Sequence, residues 1–212
     1  MYTIRLIMVA ILIAASVEAA TWKEYPQPQL GFVVEFPSDP VTSTTNYKTT
    51  LVPSAAVHLF SVKEDRSIYA AAVVDLLDRK EDGAILLGEA ESIVSGLGDV
   101  TSISVSRVEP GRAAVYGRFI TITCRSGRAQ DQLGQTPETV RAWFKVVSGA
   151  ECPDGGHLMV NMFFNKGRLY LIQGLNLPGE EGAGFSPAAL RFSNSVSFFA
   201  ADGSRNFADT FK

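Results

Sequence analysis

Scarcity is informative in this 212-residue chain: it holds only two cysteines and two histidines, and no apolar run of membrane-spanning length after its first twenty positions. The cysteines, Cys124 and Cys152, do not form a CxxC pair, and with His58 and His157 far away they cannot complete a zinc ligand set. No serine sits in a GxSxG elbow, since Val94-Ser95-Gly96 and Phe185-Ser186-Pro187 both fail the pattern. The Gly-rich stretch from Gly179 to Gly184 lacks the Lys-Ser/Thr ending of a phosphate loop, and its Glu180 and Glu181 would repel phosphate. Nothing in these patterns calls for a cofactor or a metal. A net charge of −3 does not suggest nucleic-acid binding, which wants a basic domain. No cysteine follows the first apolar run, which excludes a bacterial lipoprotein anchor, and no repeat or linker divides the chain.

The start of the chain is what fixes a compartment. Arg5 precedes an apolar run from Leu6 to Ala15, and small residues lead into Val17-Glu18-Ala19, the pattern of a secretory signal peptide. A retained membrane anchor is the competing reading. Cleavage after Ala19 is favoured by the small residues Val17 and Ala19 and by the polar stretch Thr21 to Glu24 that follows. The expectation is an exported chain, periplasmic or extracellular, with no membrane span after processing. An oxidising compartment then turns an even cysteine count into a Cys124–Cys152 disulfide.

The remaining sequence alternates apolar and polar residues. Phe32, Val34 and Phe36 point one way in a strand that Pro37 and Pro40 terminate. Residues 55–63 and 67–76 flank a charged turn, 100–108 and 113–123 flank Glu109-Pro110-Gly111-Arg112, and 157–164 and 168–176 flank Asn165-Lys166-Gly167. All three read as hairpins. Helical spacing replaces alternation over 82–97, where Ala84, Leu87, Ala90 or Glu91, and Val94 make a stripe, Asp82 caps the start and Gly96 and Gly98 end it. A second helix starts at Ser186-Pro187 and carries Ala189, Phe192, Val196 and Phe199. Thr136 can cap a third, with Val140, Trp143, Phe144 and Val147 on one side; a strand is the alternative, because Val140, Ala142, Phe144 and Val146 also alternate.

The predicted class is α+β, an antiparallel sheet of hairpins covered by helices. It divides into a signal peptide over 1–19, one domain over 20–200 with a Cys-bounded excursion at 124–155, and a polar tail over 201–212.

The stretches Trp22 to Tyr25, Leu30 to Phe32 leading into Phe36 to Pro40, Asn165 to Gly174, and Ser186 to Phe192 with Ser195 to Phe198 together resemble a group of small exported bacterial proteins with the PsbP-like fold. The resemblance implies an α/β/α sandwich. It rests on packing and turn motifs, so it names no reaction, and it implies the accessory or binding role that most known PsbP-like proteins have.

Function candidates follow from charge and from the histidines. Between Arg107 and Lys145 lie seven cations against three acids, a net +4 segment. A solvated face is one reading; an envelope protein or anionic envelope component as partner is the other. Arg125, Arg128 and Arg141 flank or lie within the excursion, where a loop presents side chains without disturbing a sheet, while Arg107, Arg112 and Arg118 are expected to spread over both faces of strands. The leading reading is a non-catalytic binding module. A periplasmic hydrolase using His58 or His157 is the alternative, and a carrier of a small apolar ligand the next. Asp75 with Asp78, and Glu89 with Glu91, are expected to be solvated surface acids.

Overall fold

The computed structural model describes residues 22–108, 114–126, 136–179, 184, 186–200 and 203. The predicted signal peptide, the turn at 109–113, the polar tail apart from Gly203, and Arg112 and Arg128 lie outside the described residues.

Among the described residues there are ten strands, in two antiparallel sheets, and three α-helices: β1 (Lys23–Gln27), β2 (Phe32–Phe36), β3 (Val41–Tyr47), β4 (Ala55–Lys63), β5 (Ser67–Asp75), α1 (Gly83–Ser95), β6 (Gly98–Val108), β7 (Val115–Cys124), α2 (Pro137–Ser148), β8 (His157–Asn165), β9 (Arg168–Asn176), α3 (Pro187–Asn194) and β10 (Ser197–Phe198). The large sheet runs β3-β4-β5-β9-β8-β7-β6 and the small one β1-β2-β10. The α+β class is therefore as the alternation implied.

Strand alternation sends side chains to two faces, and each face has its own core. On the helical face, Val57, Leu59, Ala70, Ala72, Ile120, Ile122, Leu158, Val160 and Leu171 meet α1 and α2. On the aromatic face, Phe60, Tyr69, Val73, Phe163, Tyr170 and Ile172 meet α3 and the small sheet through Phe32, Phe36, Phe192 and Phe198. Gly174 lets α3 lie close on that face, since a Cβ there would stand 2.8 Å from the Ala189 backbone.

Turn chemistry sets the hairpin register. Lys166 at φ 51° and Gly167 at φ 79° give the double positive-φ turn whose twist matches the flanking strands. Thr136 and Ser186 cap α2 and α3 by accepting from the Thr139 and Ala189 amides, each with proline next.

Three expectations shift. Asp82 does not cap α1 with its side chain; a short 3₁₀ segment, Leu77–Asp82, precedes the helix, and the Asp82 carboxylate accepts from Arg79 Nε at 2.8 Å. The buried stripe of α1 is accordingly Leu86, Glu89, Ala90, Ile93 and Val94. The C-terminal helix stops at Asn194, because Ser197 and Phe198 leave it to pair with Val33 and Phe32 of β2.

Candidate functional site

The Cys-bounded segment is built from its two ends. Residues Ile120, Ile122 and Cys124 of β7 all point to the helical face, so the strand delivers Cys124 into the core, where it is fully buried. Helix α2 buries Val140, Trp143, Phe144 and Val147, over β3, β4 and β5, and ends at Gly149 with φ 69°. The chain then doubles back, and Cys152 meets Cys124 in a disulfide with the Cα atoms 5.6 Å apart. The bridge is part of the helical-face core, because Cys124 is a strand residue and Cys152 packs on the same cluster. Backbone bonds from Cys124 N to Gly156 O and from Gly155 N to Cys124 O, at 2.8 and 3.0 Å, lock the same junction.

Two of the predicted partner-binding cations converge beside this staple. Arg125 pairs with Asp99. Ser126 donates its amide and hydroxyl to the Asp154 carboxylate, and Arg141 donates to the Ser126 carbonyl at 2.6 Å. Those Ser126 bonds, aided by the charges of Arg141 and Arg125, hold the Asp154 carboxyl below its ordinary range. The hydrogen bond that Arg125 donates to Asp99 raises the Arg125 pKa. Further along α2, Lys145 pairs with Glu151 at 3.1 Å. Arg128 falls outside the described residues.

Of the upstream cations, the two among the described residues, Arg107 and Arg118, share one face. Cross-strand register sets Arg107 opposite Tyr116 and Arg118 opposite Val105, which puts both arginines on the helical face, and Arg118 pairs with Glu91 at 3.1 Å. The Arg107 guanidinium lies 5.8 Å from the Tyr116 ring centre.

A cleft of about 310 Å³ opens where the C-terminus of α2 meets the β4–β5 hairpin. Ser61, Lys63, Ile68, Gly149, Glu151 and Leu177 line it, giving an apolar floor with one charge of each sign at the rim. Neither histidine belongs to it.

His58 does meet an acid. Its Nε2 is 3.3 Å from Asp75 Oδ2. The other oxygen of Asp75 accepts from Arg168 Nε at 2.6 Å. Burial works against the Arg168 charge, yet the bond and charge of Asp75 hold its pKa above the ordinary value. Asp75 is thus an anchor for a cation as much as a partner for a base. His157 stands at the start of β8, with Nδ1 3.5 Å from Thr123 Oγ1, two strands away from β5 and apart from this group. Among the described residues no group of three or more His, Cys, Asp or Glu could hold a metal ion.

Sequence reasoning missed the acids at this junction: the β6–β7 pairing sets Asp99 beside Arg125, and Asp154 lies in a Gly-rich turn, where it accepts from Ser126. It also took Glu89 for a surface acid. Glu89 is 3% exposed, and its carboxylate accepts from Thr49 Oγ1 at 2.6 Å, Thr50 Oγ1 at 2.8 Å and Leu51 N at 3.0 Å, fastening the β3–β4 loop to α1. Its neighbour Glu91 diverges to Arg118, as two-residue spacing in a helix requires. No family model matches the chain, and comparison with curated proteins likewise finds no match.

Proposed function

We propose that the protein is an exported, non-catalytic binding module, and that its stapled segment presents Arg125, Arg128 and Arg141 to an anionic partner in the cell envelope. The observation that carries this reading is the junction at Cys124, where the disulfide, the Ser126–Asp154 bonds and the buried face of α2 fix Arg125 and Arg141 beside one another on an exposed shoulder. Preorganised cations bind at lower entropic cost than cations on a free loop. Arg125 is held by an exposed pair with Asp99 and Arg141 by the Ser126 carbonyl, and exposed ion pairs add little stability, so an incoming polyanion competes for the same guanidinium groups. The disulfide suits an oxidising compartment, the sequence suggests export, and among the described residues no helix is long and apolar enough to cross a membrane. The resemblance to PsbP-like proteins, most of which serve as accessory or binding proteins, supports the same role.

The test is capture from an envelope extract on the immobilised mature protein, eluted by increasing salt. Replacing Arg125, Arg128 and Arg141 together with Gln should lower capture and flatten its salt dependence, whereas His58→Gln with His157→Gln should leave both unchanged. Silent arginines with essential histidines would instead support the hydrolase reading and a catalytic role for the His58–Asp75 pair.

A further inference from the structure

Strand β6 ends the large sheet, and among the described residues nothing pairs with its outer edge. Natural sheets blunt such edges with lysine, proline, inward charge or a bulge. From Ser102 to Ser106 β6 has none of these; its bulge falls at Thr101, just before this stretch. The segment reads Ser102-Ile103-Ser104-Val105-Ser106, a pattern symmetric about Ser104. Ile103 and Val105 face the helical side with Tyr116 of β7 beyond them, at 49%, 66% and 59% exposure. The opposite edge differs, since β3 between Thr42 and Asn46 carries only Thr, Ser and Asn.

We propose that β6 pairs with β6 of a second copy of this chain, antiparallel and centred on Ser104, to make one sheet continuous across the dimer. A two-fold interface must be complementary to itself, with residue i meeting j while j meets i. Centring on Ser104 achieves this. Ile103 lies opposite Val105 of the other copy, Ser102 opposite Ser106, and the apolar residues of both copies share the helical face. The alternatives fail on chemistry: centring on Ile103 sets Val105 against the bulge at Thr101, and centring on Val105 sets Ile103 against Arg107. In the favoured register the two Arg107 residues end about 20 Å apart, beyond the screening length of about 8 Å, so no like charges meet. Ser106 and Ser104 on the other face oppose hydroxyls and leave no apolar side chain against a polar one.

Cross-linking tests the register directly, in the full mature chain with its native disulfide intact. Ser104 meets its own copy at a Cα separation of about 4.5 to 5.5 Å, within disulfide reach. Ser104→Cys should therefore oxidise to a covalent dimer about tenfold or more faster than Thr44→Cys on the β3 edge, because pairing raises the effective thiol concentration towards the millimolar range. Mixed Ser102→Cys and Ser106→Cys chains should cross-link to each other in preference to themselves. Adding Val105→Glu, at a position exposed in the monomer, should return Ser104→Cys to the Thr44→Cys rate while leaving the circular dichroism spectrum unchanged. Equal rates for Ser104→Cys and Thr44→Cys would overturn the proposal, as would an excess that survives Val105→Glu. A wild-type chain that keeps monomer mass in sedimentation at millimolar concentration overturns it too, including where the edge takes an extended segment of another protein.

Discussion

Tyr170 shows how much a single residue on the aromatic face does. It lies near the start of β9 with its ring 4.9 Å from Phe198 and 5.7 Å from Phe32, and its hydroxyl donates to the Leu30 carbonyl at 2.8 Å, tying the large sheet to the β1–β2 turn. Burial pushes its pKa up from 10 to about 12, with Arg168 opposing. Burial raises Tyr47 and Tyr69 as well. A phenol with a raised folded pKa keeps its proton in the native state while the unfolded chain loses it, so stability is intact below pH 10 and declines as pH rises towards 12. For Tyr170 alone that decline is about 2 to 3 kcal/mol over the window. Urea midpoints measured from pH 8 to 12 should fall steeply above 10. Tyr170→Phe should cost about 1 kcal/mol at neutral pH through the lost bond to Leu30, and it should make the alkaline fall shallower. A fall as steep as in the wild type would assign the loss to other groups. Glu89 marks the limit of reading residues one at a time: helical spacing permits two stripes in α1, one through Ala84 and Leu87 and one through Leu86, Ala90 and Ile93, and burial in the helical-face core falls on the second.

Elements fixed by local chemistry were legible; those fixed by distant partners were not. The three hairpins follow from alternation around turn residues, and α2 and α3 from Thr136-Pro137 and Ser186-Pro187. Strand β3 carries no apolar pattern because six of its seven residues are exposed, so only pairing with β4 defines it. Likewise β10 exists because Phe198 finds Phe163 and Tyr170, and that contact ends the helix expected to reach Phe199. For the candidate site, the cysteines and the cations were visible, while Asp99 and Asp154 were not, since nothing local links Arg125 to a strand 26 residues earlier. The staple itself carries an energetic consequence. It closes a loop with a sequence separation of 28, for which the chain-entropy model gives about 3 to 4 kcal/mol. Cys124→Ser with Cys152→Ser should lower the unfolding free energy by that amount, as read from urea denaturation. Because Cys124 is buried on the helical face, the loss should also reach α2, seen as faster amide exchange at Trp143 and Phe144. Unchanged exchange there would place the staple outside the cooperative unit.

At the scale of the molecule, two cores share one sheet. The helical-face core and the aromatic-face core contain different residues, yet every central strand contributes to both: β5 gives Ala70, Ala72 and Val74 to one and Tyr69, Ala71 and Val73 to the other. Neither face can come apart while the strands between them stay paired, because loss of either cover exposes a large apolar surface at about 25 cal/mol per Å². The chain supplies a reporter for each side. It has two tryptophans, Trp22 against Tyr69 and Phe192 on the aromatic face and Trp143 against Tyr47 on the helical face. Trp143→Phe leaves Trp22 as the sole indole, and Trp22→Phe leaves Trp143. Each replacement removes some packing, so the comparison is made within one protein, between its remaining indole and its far-ultraviolet circular dichroism. In both variants the two signals should give the same urea midpoint and the same slope, since a single cooperative transition is what a shared sheet demands. Were the Trp22 signal to move at lower urea than the circular dichroism, the small sheet and α3 would unfold as a separate layer, and the two cores would be two cooperative units joined only in the native state.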